Sequence, residues 1–229
     1  MGNAVKLAAE DALAKLKSVA AEVGVTVENG DDFGKVFVKK YGMQAGNVIG
    51  FGSYIPSYTP PDYGTGQTTN ATPFWMIGGT GVEIEVDTET GRTKILKMYN
   101  VADVGTPINP RIVETQLSGA AIMQLGFTLF EKMDFDEHGT LRNASLAEYK
   151  IPGIRDIPAL MESEAVIAEQ TSGPFGGKGV GESGTFGVSP AIANAIEDAV
   201  GVRLTSLPIT AEAVLRALRE RQGRPLQAE

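Results

Sequence analysis

The chain has 229 residues, 42% hydrophobic and 21% charged, a globular composition with apolar material for one sizeable core or two small ones. Its formal net charge is −8, and no Lys/Arg run offsets it, which argues against nucleic acid or an anionic membrane as partner. With no Cys and a single His, the chain lacks the material for disulfides, zinc–thiolate sites or protein-ligated iron–sulfur clusters, and Ser-His-Asp or multi-His metal chemistry is all but excluded.

"MGNAVKLAAEDALAKLK" alternates charge with Ala and Leu at helical spacing and has no apolar h-region, so it reads as a helix rather than a signal peptide. Val5, Leu7, Ala8, Ala12, Leu16 and Val19 predict an amphipathic helix over 3–22, with Asn3 as N-cap. Asp31 and Asp32 are capping candidates for a second helix whose apolar face is Phe33, Val36, Phe37 and Tyr41. "VIGFGSYI" (48–55) reads as a strand, and 56–73, rich in Pro, Thr and Gly, as a long polar loop. Val82, Ile84 and Val86 alternate with Glu83, Glu85 and Asp87, and "RTKILKMYNVAD" follows "TETG", which predicts a half-buried hairpin.

Asn109 as N-cap and Pro110 as first helical residue open a helix over 110–131, where Gly119, Ala120 and Ala121 would permit tight packing. "MDFDEHGTLRN" suggests a second hairpin with His138 at its tip, and "ESEAVIAE" a short strand. Two helices follow at about 189–200 and 210–221, the second opened by Thr210, with Glu212 and Glu220 outside. No repeat and no strong domain boundary stand out, no apolar run approaches the roughly 20 residues of a membrane span, and the fold class is α+β, read as a single unit over 1–229.

The 28 glycines run well above the ~7% base rate and cluster at 42–52, 78–81 and 173–187, which points to close backbone approaches at a few places. "GGKGVGESGTFG" (176–187) contains a literal G-x-G-x-x-G, Gly179 to Gly184. A Rossmann fingerprint needs a strand just before it and a helix starting inside it; "TSGPF" is no strand, and the next helix starts near Ser189. A Walker A loop fails too, because Ser172 stands where its first Gly should be and Gly179 follows Lys178. Two readings of the residues remain. One is a glycine-rich turn with a solvated Glu182. The other is a backbone cradle that admits a large planar group, with loop amides and Lys178 favouring an anion and Glu182 in a partly dry pocket as general base.

"GGKGVGESGTFGVSPAIANAIEDAVG" resembles the C-terminal signature of the molybdenum-binding subunits of the xanthine dehydrogenase/aldehyde oxidase family of molybdenum hydroxylases. Other segments are similar in order and spacing: the strand pair, the D-x-G-x-x-x-N-P turn as Asp103, Gly105, Asn109 and Pro110, the Q-x-x-G helix as Gln116 and Gly119, and "LAEYKIPGIRDIPAL". One departure is the family's Q-G pair in that helix, split here as Gln124-Leu125-Gly126. The resemblance implies an oxidoreductase that hydroxylates an aldehyde or N-heterocycle with water at a molybdenum–molybdopterin centre. Glu182 would be the general base, taking the proton from a molybdenum-bound hydroxyl. It implies that Gln116 hydrogen-bonds the centre, that Lys178, Gly179, Val180 and Gly181 line the cofactor by backbone contact, and that no side chain of this chain ligates the metal. Asp103 and Asn109 are expected to hold the turn before the helix.

The family's subunits are several times longer, and their upstream glutamine, arginine and glycine-rich elements have no counterpart here. The resemblance therefore implies a split subunit or a fragment, cytoplasmic, that shares molybdopterin, expected as the cytosine dinucleotide, with a missing half or partner subunit. FAD and 2Fe-2S would lie on other chains. Two alternatives stay open: a non-catalytic nucleotide-binding module, and a degenerate structural subunit of such a complex.

Overall fold

A computed structural model describes residues 1–29, 32–42 and 46–224 in two compact units, Met1–Trp75 with Gln170–Gly176, and Met76–Glu169 with Gly177–Glu229. Asp31 lies outside the described residues.

In the first unit, α1 (Gly2–Glu22) and α2 (Phe33–Tyr41) bury Leu16, Ala20, Val36 and Phe37 against one another. The i, i+4 spacing of α2 stacks Phe33 on Phe37 at 4.3 Å between centroids and brings Tyr41 to 5.3 Å from Phe37. Neither Asn3 nor Asp32 forms a side-chain cap. Helix α1 starts one residue early, so Asn3 lies inside it and donates its Nδ2 to the Ser172 carbonyl at 2.8 Å. Asp32 has helical backbone angles, and its carboxylate accepts from Lys35 and the Glu28 amide instead.

The expected strand at 48–55 pairs with no other strand and runs along α1. Gly50 and Gly52 approach so closely that a Cβ on either would strike the carbonyl oxygens of Ala8 and Ala4. The segment's backbone polar groups find partners on the helix: the Phe51 amide donates to Asp11 at 2.8 Å, and Lys15 donates to the Ile49 carbonyl at 3.0 Å. The 56–73 loop folds back on itself through Thr59 N to Asn70 O (2.7 Å) and Asp62 N to Gln67 O (2.9 Å). Its Tyr58 and Tyr63 are exposed.

The second unit holds a three-stranded sheet ordered β1-β2-β3. Strands β1 (Gly78–Val86) and β2 (Thr93–Asp103) form the expected antiparallel hairpin. The register shifts between Glu83 and Ile84, leaving Leu96 as the extra residue, which is why Ile95 and Met98, of opposite parity, both face the core. Strand β3 (Leu160–Val166) pairs parallel to β2, and α3 (Pro110–Leu129) makes the crossover.

Helix α3 begins as expected, Asn109 Oδ1 accepting from the Ile112 amide at 3.2 Å with Pro110 at the first position. Ala120 and Ala121 are buried, but the close approaches fall at Gly126 and Gly184, while Gly119 faces open space. The second hairpin is reduced to one bridge, Phe135 to Leu141, with His138 exposed beside it. Helices α4 (Val188–Val200) and α5 (Ala211–Arg221) complete the core, with Thr210 Oγ1 accepting from the Ala213 amide at 3.1 Å. Met98, Leu125, Ile192, Ile196 and Val214 form its centre, and a smaller cluster of Ala102, Val104, Val113 and Leu117 lies by the C-terminal end of β2. No described helix is long and apolar enough to cross a membrane.

Candidate active site

The 177–187 loop lies beside that C-terminal end of β2, anchored from its first residue to its eighth. Gly177 bridges Gly105, and the Lys178 amide donates to the Val104 carbonyl at 2.9 Å. The Lys178 ammonium pairs with Asp103 Oδ2 at 2.5 Å, both side chains nearly buried at 8% and 13% exposure. Asp103 Oδ1 takes the Gly105 amide at 2.9 Å, so the expected turn-holding role of Asp103 is met. The Lys178 ammonium, followed by the Gly105 amide, holds the Asp103 carboxyl below its ordinary range. Val180 packs on the Ala102–Leu117 cluster.

Gln116, one face of α3 away from the core, donates Nε2 to the Gly181 carbonyl at 2.8 Å. Two residues on, Ser183 is buried with its hydroxyl on Met76 Sδ. Gly184 then gives its carbonyl to Asn100 Nδ2 at 3.1 Å. Asn100 is 1% exposed, and its Oδ1 accepts from Thr80 Oγ1 at 3.2 Å. Thr185 donates N–H and Oγ1 back to the Glu182 carbonyl at 3.0 and 2.8 Å, closing the turn that carries the carboxylate.

What these anchors leave outward is Gly179, Gly181 and Glu182, all exposed. A Cβ at Gly179 or Gly181 would meet no atom within 4 Å, so a strip of bare backbone runs up to the Glu182 side chain. Among the described residues the Glu182 carboxylate has no hydrogen-bond or ion-pair partner. The partly dry pocket expected around it is not built by this unit, because the two glycines beside it supply no wall. Nor does Lys178 offer an open positive charge, since Asp103 holds its ammonium. The loop also lacks the Rossmann setting: β3 ends at Val166 and α4 begins at Val188, so neither strand nor helix abuts the G-x-G-x-x-G.

All six candidate residues, Gln116, Lys178, Gly179, Val180, Gly181 and Glu182, therefore belong to one anchored loop and the helix beneath it. Asn100 is the residue that sequence reasoning missed. Its signal was an amide at an inward position of β2, between Met98 and Ala102, where alternation calls for an apolar side chain. The site residues fit a bulky cofactor on one side only: an open backbone strip with exposed amides suits close approach of a large group, and an unpartnered carboxylate stands at its end.

The molybdopterin cofactor-binding domain family matches residues 1–158. The probable hypoxanthine oxidase XdhD of Escherichia coli K12 is 33% identical over 95% of this chain, which covers 23% of that protein. The aldehyde oxidoreductase molybdenum-binding subunit PaoC of the same organism is 37% identical over 62% of the chain and 20% of its own length. The crystal structure of aldehyde oxidoreductase from Desulfovibrio gigas superimposes with a TM-score of 0.75 at 27% identity, over 95% of this chain and 22% of that one. The chain thus spans less than a quarter of each of these relatives.

Proposed function

The chain belongs to the molybdopterin cofactor-binding domain family, that of the molybdenum-binding subunits of xanthine dehydrogenases and aldehyde oxidoreductases, and on that premise we propose that residues 1–229 are the second half of such a domain. The enzyme it serves hydroxylates an aldehyde or an N-heterocycle with an oxygen from water, and Glu182 is its general base. The observation that carries this reading is the pairing of a firmly anchored loop with an unpartnered carboxylate beside two open glycines. A base must be held in place by its backbone while its oxygens stay available, and that combination meets both needs.

Gly179 and Gly181 would let the cofactor approach the main chain, with Lys178 and Val180 contributing backbone contacts. Gln116 acts from beneath, holding the Gly181 carbonyl through one N–H and keeping its side-chain oxygen and second N–H for the cofactor. When bound, the molybdenum centre supplies the two-electron oxidation. The chain's own part is to hold Glu182 Oε where it accepts the proton of the attacking hydroxyl. The cofactor is the cytosine dinucleotide form, FAD and 2Fe-2S sit on other chains of a cytoplasmic complex, and the second wall of the site comes from the missing half or a partner subunit, which also dries the Glu182 carboxylate.

The test is Glu182→Gln in the assembled complex. Molybdenum and pterin content should stay at the parent level while turnover of the complex's substrate is lost. Unchanged turnover sinks the assignment of the base; loss of turnover together with cofactor points instead to a binding role.

A further inference from the structure

Although the sequence shows no basic run, the second unit brings Arg155 to the neighbouring cations Arg92 and Lys94. Arg92 just before β2, Lys94 at its second position and Arg155 from the segment before β3 line one cleft of about 410 Å³. Among the described residues none of the three is ion-paired, whereas Lys97, Lys178, Arg203 and Arg216 each are. One carboxylate shares the wall, Asp156, and its Oδ2 is engaged by the Gly153 amide at 2.8 Å. The lining residues therefore include three basic and one acidic, with Glu85 opposite Lys94 on the neighbouring strand, in a chain whose net charge is −8.

The floor is apolar, formed by Ile95, Phe130 and Ile209. Thr93, on the same wall, has a buried hydroxyl with no hydrogen-bond partner among the described residues. One rim is Thr210 and Ala211, at the electropositive N-terminal end of α5. The cleft sits at the opposite end of β2 from the 177–187 loop, ten residue steps or roughly 30 Å away, so it is separate from the proposed catalytic carboxylate.

We propose that this cleft binds a phosphate-bearing small molecule, its phosphate between Arg92, Lys94 and Arg155 and an apolar or planar part on the Ile95–Phe130–Ile209 floor. A monoanion would answer one cation; a multiply charged phosphate answers three and accepts paired N–H donors from Arg. The volume falls within the range of small-molecule sites, and an apolar floor under a few polar groups is their usual make-up. An acidic chain repels anions elsewhere on its surface, so binding should be local and weaken with salt.

The experiment titrates the isotope-labelled full chain with inorganic pyrophosphate and, separately, ADP at low ionic strength, following backbone amide resonances. Saturable shifts are expected at residues 92–95 and 210–211, with ADP binding several-fold tighter. Arg92→Gln, Lys94→Gln and Arg155→Gln combined should weaken both probes by about tenfold or more, while the thermal midpoint stays at the parent value because the three side chains are exposed. If ADP binds no tighter than pyrophosphate, the apolar floor is unused and the assignment to an organic phosphate fails. No saturable shift at about 10 mM probe, shifts confined to 178–184, or undiminished binding by the triple variant would overturn the site altogether. The proposal does not depend on the role assigned to Glu182.

Discussion

The glycines of the 177–187 loop separate into two kinds, and alanine substitution should tell them apart. A Cβ at Gly184 would run into the Leu117 carbonyl of α3 and stand 2.9 Å from Asn100 Nδ2 and 3.0 Å from the Ala120 Cβ. None of these neighbours can yield easily. The Leu117 carbonyl is helix backbone, Asn100 is held by Thr80 and by Gly184 itself, and Ala120 is buried in α3. Overpacking costs about 1–3 kcal/mol, and loss of the Asn100 bond adds roughly 1 kcal/mol, so Gly184→Ala should cost about 2–4 kcal/mol. At roughly 2–4 °C per kcal/mol for a unit of this size, the thermal midpoint should drop by about 4–16 °C. Gly179→Ala and Gly181→Ala meet no atom, and neither residue has a positive φ. They should change stability by no more than about 0.5 kcal/mol. In the loaded complex the same two substitutions should lower cofactor retention. Urea and thermal unfolding of the three variants decide the matter. Equal stability of Gly184→Ala and parent, or comparable losses at Gly179 and Gly184, would refute the division of the loop into an anchored and an open face.

Asp103→Asn leaves the nearly buried Lys178 ammonium without its counter-charge and should destabilise by up to about 3–5 kcal/mol, with Asp103→Leu/Lys178→Met recovering part of that; a double-mutant cycle with no coupling refutes the pair's role. Because the Asp103 carboxyl is held below its ordinary 3.8, its contribution is present above that value and lost as pH falls through the lower folded-state value. The stability gap between parent and Asp103→Asn should therefore close in acid, which urea titrations from neutral pH to below 4 measure. The chain alone should contain little molybdenum and show no turnover, and metal analysis giving one molybdenum per chain would contradict the need for a second wall.

What the sequence made legible was local. Asn109-Pro110 marked the start of α3 because a cap and a fixed φ act within one turn, and the hairpin followed from the alternation of Val82, Ile84 and Val86 with acidic residues. The strand read at 48–55 was misplaced because alternation with glycine reports only a close-packed extended chain, and here the neighbour is a helix. The parallel β2–β3 pairing spans a whole crossover, so no short-range pattern encodes it. The site divided the same way. Glu182 among its glycines was visible, but a turn and a cradle look alike until the anchors are known, and those lie 65, 75 and 84 residues away in Gln116, Asp103 and Asn100.

The anchors also constrain what this chain can give a cofactor. Gln116 and Asn100 are neutral, and the one cation in the loop is paired with Asp103 in a nearly buried contact. The charge the loop leaves outward is the carboxylate of Glu182 alone. A dinucleotide carries phosphates, so this face offers it amide dipoles and room for close approach but no counter-charge. In the proposed complex the cations that neutralise those phosphates must then come from another part of the protein, and the same part would enclose Glu182. Charge balance and the drying of the base are on this reasoning one requirement, met by a single second wall. A variant of that wall that weakens cofactor retention should also lower turnover per bound molybdenum, because the same contacts enclose Glu182.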